Sequence, residues 1–111
     1  MSTPQERLDE VYLAYSDAYR RRFADLKEAG SQQQAKDILT NVRNLEATYL
    51  KAATAALSAT RAAVETAYRD AQEARAAIND AYNSAVAVTE KIRLVGKGAK
   101  AVGDLVKEAQ S

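Results

Sequence analysis

From Ala35 to Val95 the apolar positions of the chain recur three and four residues apart, the spacing that keeps one stripe along a helix. Ala35, Ile38, Val42, Leu45, Tyr49, Ala52, Ala56, Ala59 and Ala63 form a first heptad tract. Two steps of four through Ala67 and Ala71 make one stutter, and the heptad resumes at Ala74, Ile78, Ala81, Ala85, Val88, Ile92 and Val95. No glycine or proline falls between Ser31 and Gly96. The pattern predicts a single helix over about 32–95, roughly 95 Å long at about 1.5 Å per residue. The stripe continues through Ala99, Val102, Val106 and Ala109, but Gly96, Gly98 and Gly103 each weaken helix by up to about 1 kcal/mol relative to alanine. A hinge is therefore expected at 96–98 and a short terminal helix at 99–109.

Upstream, Leu8, Tyr12, Tyr15, Tyr19, Phe23 and Leu26 make a bulkier stripe. Thr3-Pro4-Gln5-Glu6 reads as a capping box with proline at the first helical position. Gly30 suits the left-handed conformation that ends many helices, and Ser31-Gln32-Gln33-Gln34 reads as a second capping box. A helix is thus predicted over 4–29, followed by a turn so short that the next helix must lie antiparallel to it. Large side chains of the first helix would pack on the narrow alanine seam of the second.

The expected fold class is all-α, one domain over 1–111: an antiparallel helical hairpin with one short and one very long Ala-rich helix and coiled-coil-like packing. The alternative is a three-helix bundle broken near 57–61. Ser58 or Thr60 could cap a new helix there, but no glycine, proline or asparagine stands ready to make the turn, so the unbroken helix is favoured. That choice has a consequence. The first helix, about 39 Å long, runs out near Leu57. The seam beyond it, Ala59, Ala63, Ala67, Ala71, Ala74, Ile78, Ala81, Ala85, Val88, Ile92 and Val95, is left for another chain to cover.

Composition narrows the function. The chain has 24 alanines, whereas Leu, Ile, Val and Phe together number 21, so seam contacts bury little area each. Histidine and cysteine are absent, which removes the usual general base, the commonest metal ligand and all thiol chemistry. No strand–glycine-loop motif, paired carboxylate set or metal-ligand spacing stands out, so the chain is read as not an enzyme and without a cofactor. Net charge is +1, too small a basic excess for a nucleic-acid binder. Arg20-Arg21-Arg22 is the densest basic cluster, with Asp17 placed to pair with Arg20 or Arg21. Alternating Arg61, Glu65, Arg69 and Glu73 suggest a solvated face.

The expected function is that of a non-enzymatic helical assembly or adaptor subunit. It would self-associate, or dock onto a helical protein in a larger complex such as a phage particle, secretion machine or scaffold. The alternative is a membrane- or hydrophobic-surface-binding protein acting through its basic amphipathic C-terminal segment, with Lys97, Lys100, Val102, Val106 and Lys107 as contacts. The start MSTPQERLDE lacks a basic, apolar leader, and no apolar run reaches the length of a membrane span. A cytoplasmic protein is expected, with export by a dedicated machine also compatible.

Overall fold

The computed structural model describes residues 1–110; Ser111, the end of the expected domain, lies outside the described residues. Among the described residues four helices of similar length follow one another: α1 (Pro4–Glu28), α2 (Gln32–Thr54), α3 (Ala62–Tyr82) and α4 (Val88–Ala109). No strand occurs among the described residues. α1 packs on α2 and α3 on α4, and α4 also lies against both α2 and α1. α1 touches α3 lightly, and α2 and α3 do not meet. Glu65 bonds Ser2 near the start of α1 while Tyr82 bonds Asp25 near its end, so α1 and α3 run the same way. Asn41 reaches the carbonyl of Ile92 and Gln34 reaches Thr89, so α2 and α4 run together in the opposite sense. The result is an up-down-up-down bundle, 43 × 24 × 17 Å, whose middle connection crosses between diagonal helices.

Neither form expected from the heptad pattern is adopted. The chain leaves helix twice: at 55–61, where only the alternative placed a break (near 57–61), and at 83–87, where no break was expected. The reason is visible in what the breaks bury. Leu57 and Val64 lie off the alanine seam and would face water on a continuous helix, yet both are core residues here. Fully burying each side chain is worth about 1.5–3 kcal/mol, more than an alanine seam offers per residue. Folding α3 back also gives the α3 part of the distal seam a partner within the chain, α4.

The first break needs no turn residue because distant groups satisfy its backbone. Arg7, 1% exposed, uses all five guanidinium N–H groups. Nη1 donates to the carbonyls of Leu57 (2.5 Å) and Ala59 (3.1 Å). Nη2 donates to the Ser2 carbonyl and the Glu65 carboxylate, and Nε donates to the Ser2 hydroxyl. Ala59 N–H reaches the last α4 carbonyl, Ala109, and Arg61 reaches the carbonyl of Glu108. Arg61 and Glu65 thus belong to this clasp rather than to a purely solvated face. The second break is local: Asn83 ends α3 and the Ser84 hydroxyl donates back to the Asp80 carbonyl.

The 96–98 hinge and separate 99–109 helix are also corrected, because α4 runs unbroken through all three of its glycines. Gly98 is there for close packing. A β-carbon on it would lie 2.8 Å from Ile78 Cδ1, so its absence lets α3 and α4 approach. Gly103 has nothing within 4 Å of the corresponding position. Gly103→Ala is expected to stabilise the bundle by about 0.5–1 kcal/mol through backbone entropy, read as a higher urea midpoint at unchanged slope. The Thr3–Glu6 capping box forms in full. At the α1–α2 turn Ser31 caps as expected, but the Gln34 side chain accepts from Gly30 N–H, and no glycine takes a positive φ.

Candidate protein interface on the α1–α2 face

The buried side of α1 is set one residue back from the aromatic stripe. It runs through Arg7, Val11, Ala18 and Asp25. Polar ties to α3 explain the rotation: Arg75 makes a bidentate pair with Glu10 (2.6 and 3.1 Å), Arg21 donates to Asn79, and Tyr82 donates to Asp25. The expected stripe is therefore swung onto the flank facing α2, where it is only half covered. Tyr12 is 47% exposed, Tyr19 45% and Phe23 64%.

These rings form a continuous ladder. Tyr12 lies 5.3 Å from Tyr49 of α2, Tyr49 stacks on Tyr15 at 5.7 Å, and Tyr15 meets Tyr19 at 5.8 Å. Arg22 then lies over the rings of both Tyr19 (3.5 Å) and Phe23 (4.3 Å). Such contacts contribute about 0.5–1.5 kcal/mol each and hold the rings in fixed orientations. The Tyr15 hydroxyl donates to Glu46, and burial first, then that carboxylate, pushes its pKa up. Leu39 and Leu50 extend the apolar surface along α2. Met1 aside, every large hydrophobic side chain exposed among the described residues lies on α1 or α2.

The residues singled out from the sequence fall elsewhere. Ala67, Ala71, Ala81 and Val95 are buried inside the bundle, and Ala59, Ala74, Ile78, Val88 and Ile92 are partly buried. Only Ala63 and Ala85 are exposed. The seam is covered by the chain itself, so it does not offer the open interface expected of it. In the C-terminal segment Lys97, Lys100 and Lys107 are exposed, but Val102 and Val106 are core. The apolar half that a membrane contact requires is consumed in packing. Arg20 pairs with Asp17 at 2.8 Å, as the spacing suggested, while Arg21 and Arg22 are spent on Tyr82 and on the ladder. No group of three or more carboxylate, histidine or cysteine side chains is placed to hold a metal among the described residues. Among the described residues no helix is long and apolar enough to cross a membrane.

A second cluster sits at the opposite end from the Arg7 clasp. Asp25 is buried; Tyr82 donates to its Oδ2 at 2.6 Å, and Oδ1 has no partner among the described residues. Lys91, paired with Glu28, and Arg21 both lie over the Tyr82 ring. Burial raises the Asp25 pKa despite the Tyr82 hydrogen bond and the Lys91 charge, and burial likewise raises Tyr82. A carboxyl whose folded pKa lies above its unfolded value binds its proton more tightly when folded. Stability from it is present at low pH and falls as pH rises through the folded pKa. Asp25→Asn should therefore be stabilising relative to the native chain at pH 7. That advantage should shrink as pH drops toward about 4, the ordinary carboxylate range. Urea midpoints of the two proteins at several pH values check the sign.

No family model matches this chain, and no curated protein or solved structure matches it at a significant level.

Proposed function

We propose that the chain is a non-enzymatic assembly or adaptor module that binds a protein partner through the outer face of α1 and α2. The observation that carries this reading is the one-sided distribution of exposed large hydrophobics, all but Met1 on those two helices. Contiguous exposed apolar surface marks interaction sites, and tyrosine and arginine are the side chains most enriched where binding energy concentrates. The ladder supplies both, already ordered by ring contacts, so little side-chain entropy remains to be lost on binding. α3 and α4 by contrast turn their bulky side chains inward and show alanine and charge outward.

Site-specific photo-crosslinking in producing cells tests this. A photoreactive side chain at Phe23 or Leu50 is expected to give discrete protein adducts, and one at Arg69 or Gln72, exposed positions of α3, is not. Equal labelling on both sides, or no adduct from Phe23 and Leu50, removes the reading.

A further inference from the structure

The α1 part of the outer face carries opposite charges at its two ends, an order that matches its own reverse. On α1 the stripe Asp9, Tyr12, Ser16, Tyr19, Phe23 and Lys27 is spaced three and four apart; on α2 the stripe is Lys36, Leu39, Arg43, Glu46 and Leu50. The Tyr15–Glu46 and Tyr12–Tyr49 contacts fix the register of the two helices. Phe23 therefore stands level with Leu39 at the turn end, and Tyr12 with Leu50 at the other. Lys27 lies beyond the first cluster and Asp9 beyond the second. Arg43 and Glu46 lie between. None of these four charged side chains has an ion pair among the described residues: Asp9 accepts only from Gln5, and Glu46 only from Tyr15.

We propose that the occupant of this face is a second copy of the chain, related by a two-fold axis that crosses the helices midway between Tyr12 and Phe23. This rests on the reading of α1–α2 as the partner surface and names its partner. Reversal about that axis places Phe23 of one copy over Tyr12 of the other and Leu39 within two residues of Leu50. The same operation brings Lys27 within one residue of Asp9, so two apolar matches and one charge match follow from one axis, each occurring twice. Such self-complementarity is what a closed, isologous interface requires. The face is large enough: two helices of about 35 Å, side by side at roughly 10 Å spacing, present on the order of 700 Å² per copy, or about 1,400 Å² in total, within the range of stable interfaces.

Sedimentation equilibrium on the purified chain, from about 1 µM to about 1 mM, tests this directly. A concentration-dependent dimer is expected, and Phe23→Glu should weaken it roughly 100-fold or more while leaving the helical circular-dichroism spectrum unchanged, because Phe23 is exposed. Lys27→Glu and Asp9→Lys should each weaken the dimer roughly 3–10-fold, and the chain carrying both should return to within about two-fold of the native value. Lys27 and Asp9 stand eighteen residues apart on one helix, about 27 Å, so an intrachain contact cannot provide that rescue. A chain that stays monomeric at about 1 mM overturns the second-copy assignment, as does a dimer indifferent to Phe23→Glu or a double variant without recovery. If Phe23 and Leu50 then crosslink a different protein in cells, the partner face stands and only its occupant changes; if they crosslink nothing, both fall.

Discussion

Replacing Arg7 with methionine is expected to cost about 3–5 kcal/mol, a large part of the roughly 5–15 kcal/mol that holds a domain of this size. Methionine keeps an unbranched apolar stem, so the loss comes from the guanidinium head. Without it, the carbonyls of Leu57 and Ala59 lose their donor inside the bundle, and each unsatisfied buried group costs about 1–3 kcal/mol. Glu65 would keep only its bonds from Ser2, whose backbone N–H is the main reason its pKa is held low. Arg7→Lys should fall between, because three donors on a flexible stem replace five in a rigid fork. Urea unfolding measures the loss. Amide exchange locates it: protection should drop first at 57–65 and at the end of α4, where Ala59 N–H meets Ala109. If the Arg7→Met protein unfolds at the native midpoint, the clasp is not what permits the chain to leave helix at 55–61.

That clasp also explains how much of the fold could be read from the sequence. The all-helical class, the Thr3 and Ser31 N-caps, the position of the α1–α2 connection and the α2 stripe through Ile38, Leu45 and Ala52 all follow from local chemistry and helical spacing, and all are present. The breaks do not follow from local chemistry. At 55–61 the residues are mostly alanine and other tolerable helix formers, and what ends the helix is an arginine fifty residues away in sequence. At 83–87 a local sign existed: Asn79, Asp80, Asn83 and Ser84 are poor helix formers that cap well, but the apolar spacing ran on across them.

The candidate face was half legible. Its aromatic residues were recognised, but as core. A stripe of tyrosine and phenylalanine outweighs one that begins with Arg7 and contains Asp25 when apolar bulk alone is counted. The structure chooses the second stripe because both charged groups find partners, Glu65 for Arg7 and Tyr82 for Asp25. Buried charge is tolerated only with such partners, and partners on another helix are invisible to spacing rules. Most of the alanine seam is covered within the chain, its α3 part by α4, rather than left open for another molecule.

Leu105→Ala is expected to destabilise the bundle by about 2–5 kcal/mol, the range for removing three buried carbons and leaving a cavity. Leu105 is fully buried in α4, which packs on all three other helices, in the same cluster as Val11, Leu57, Val64, Val102 and Val106. Four helices and the 55–61 crossing converge there, so neighbours have little freedom to relax into the space, which puts the value in the upper part of the range. Leu50→Ala removes the same atoms from an exposed site on α2 and should change stability by no more than about 0.5 kcal/mol. The contrast decides what the C-terminal segment is for. A segment whose apolar residues served an outside surface would let Leu105, Val102 and Val106 be trimmed at little cost to folding. As the central core helix it should not: removing residues 96–110 takes away Val102, Leu105, Val106 and Ala109 together and should abolish cooperative unfolding. A Leu105→Ala protein as stable as the Leu50→Ala protein would mean that α4 does not sit at the centre of this bundle.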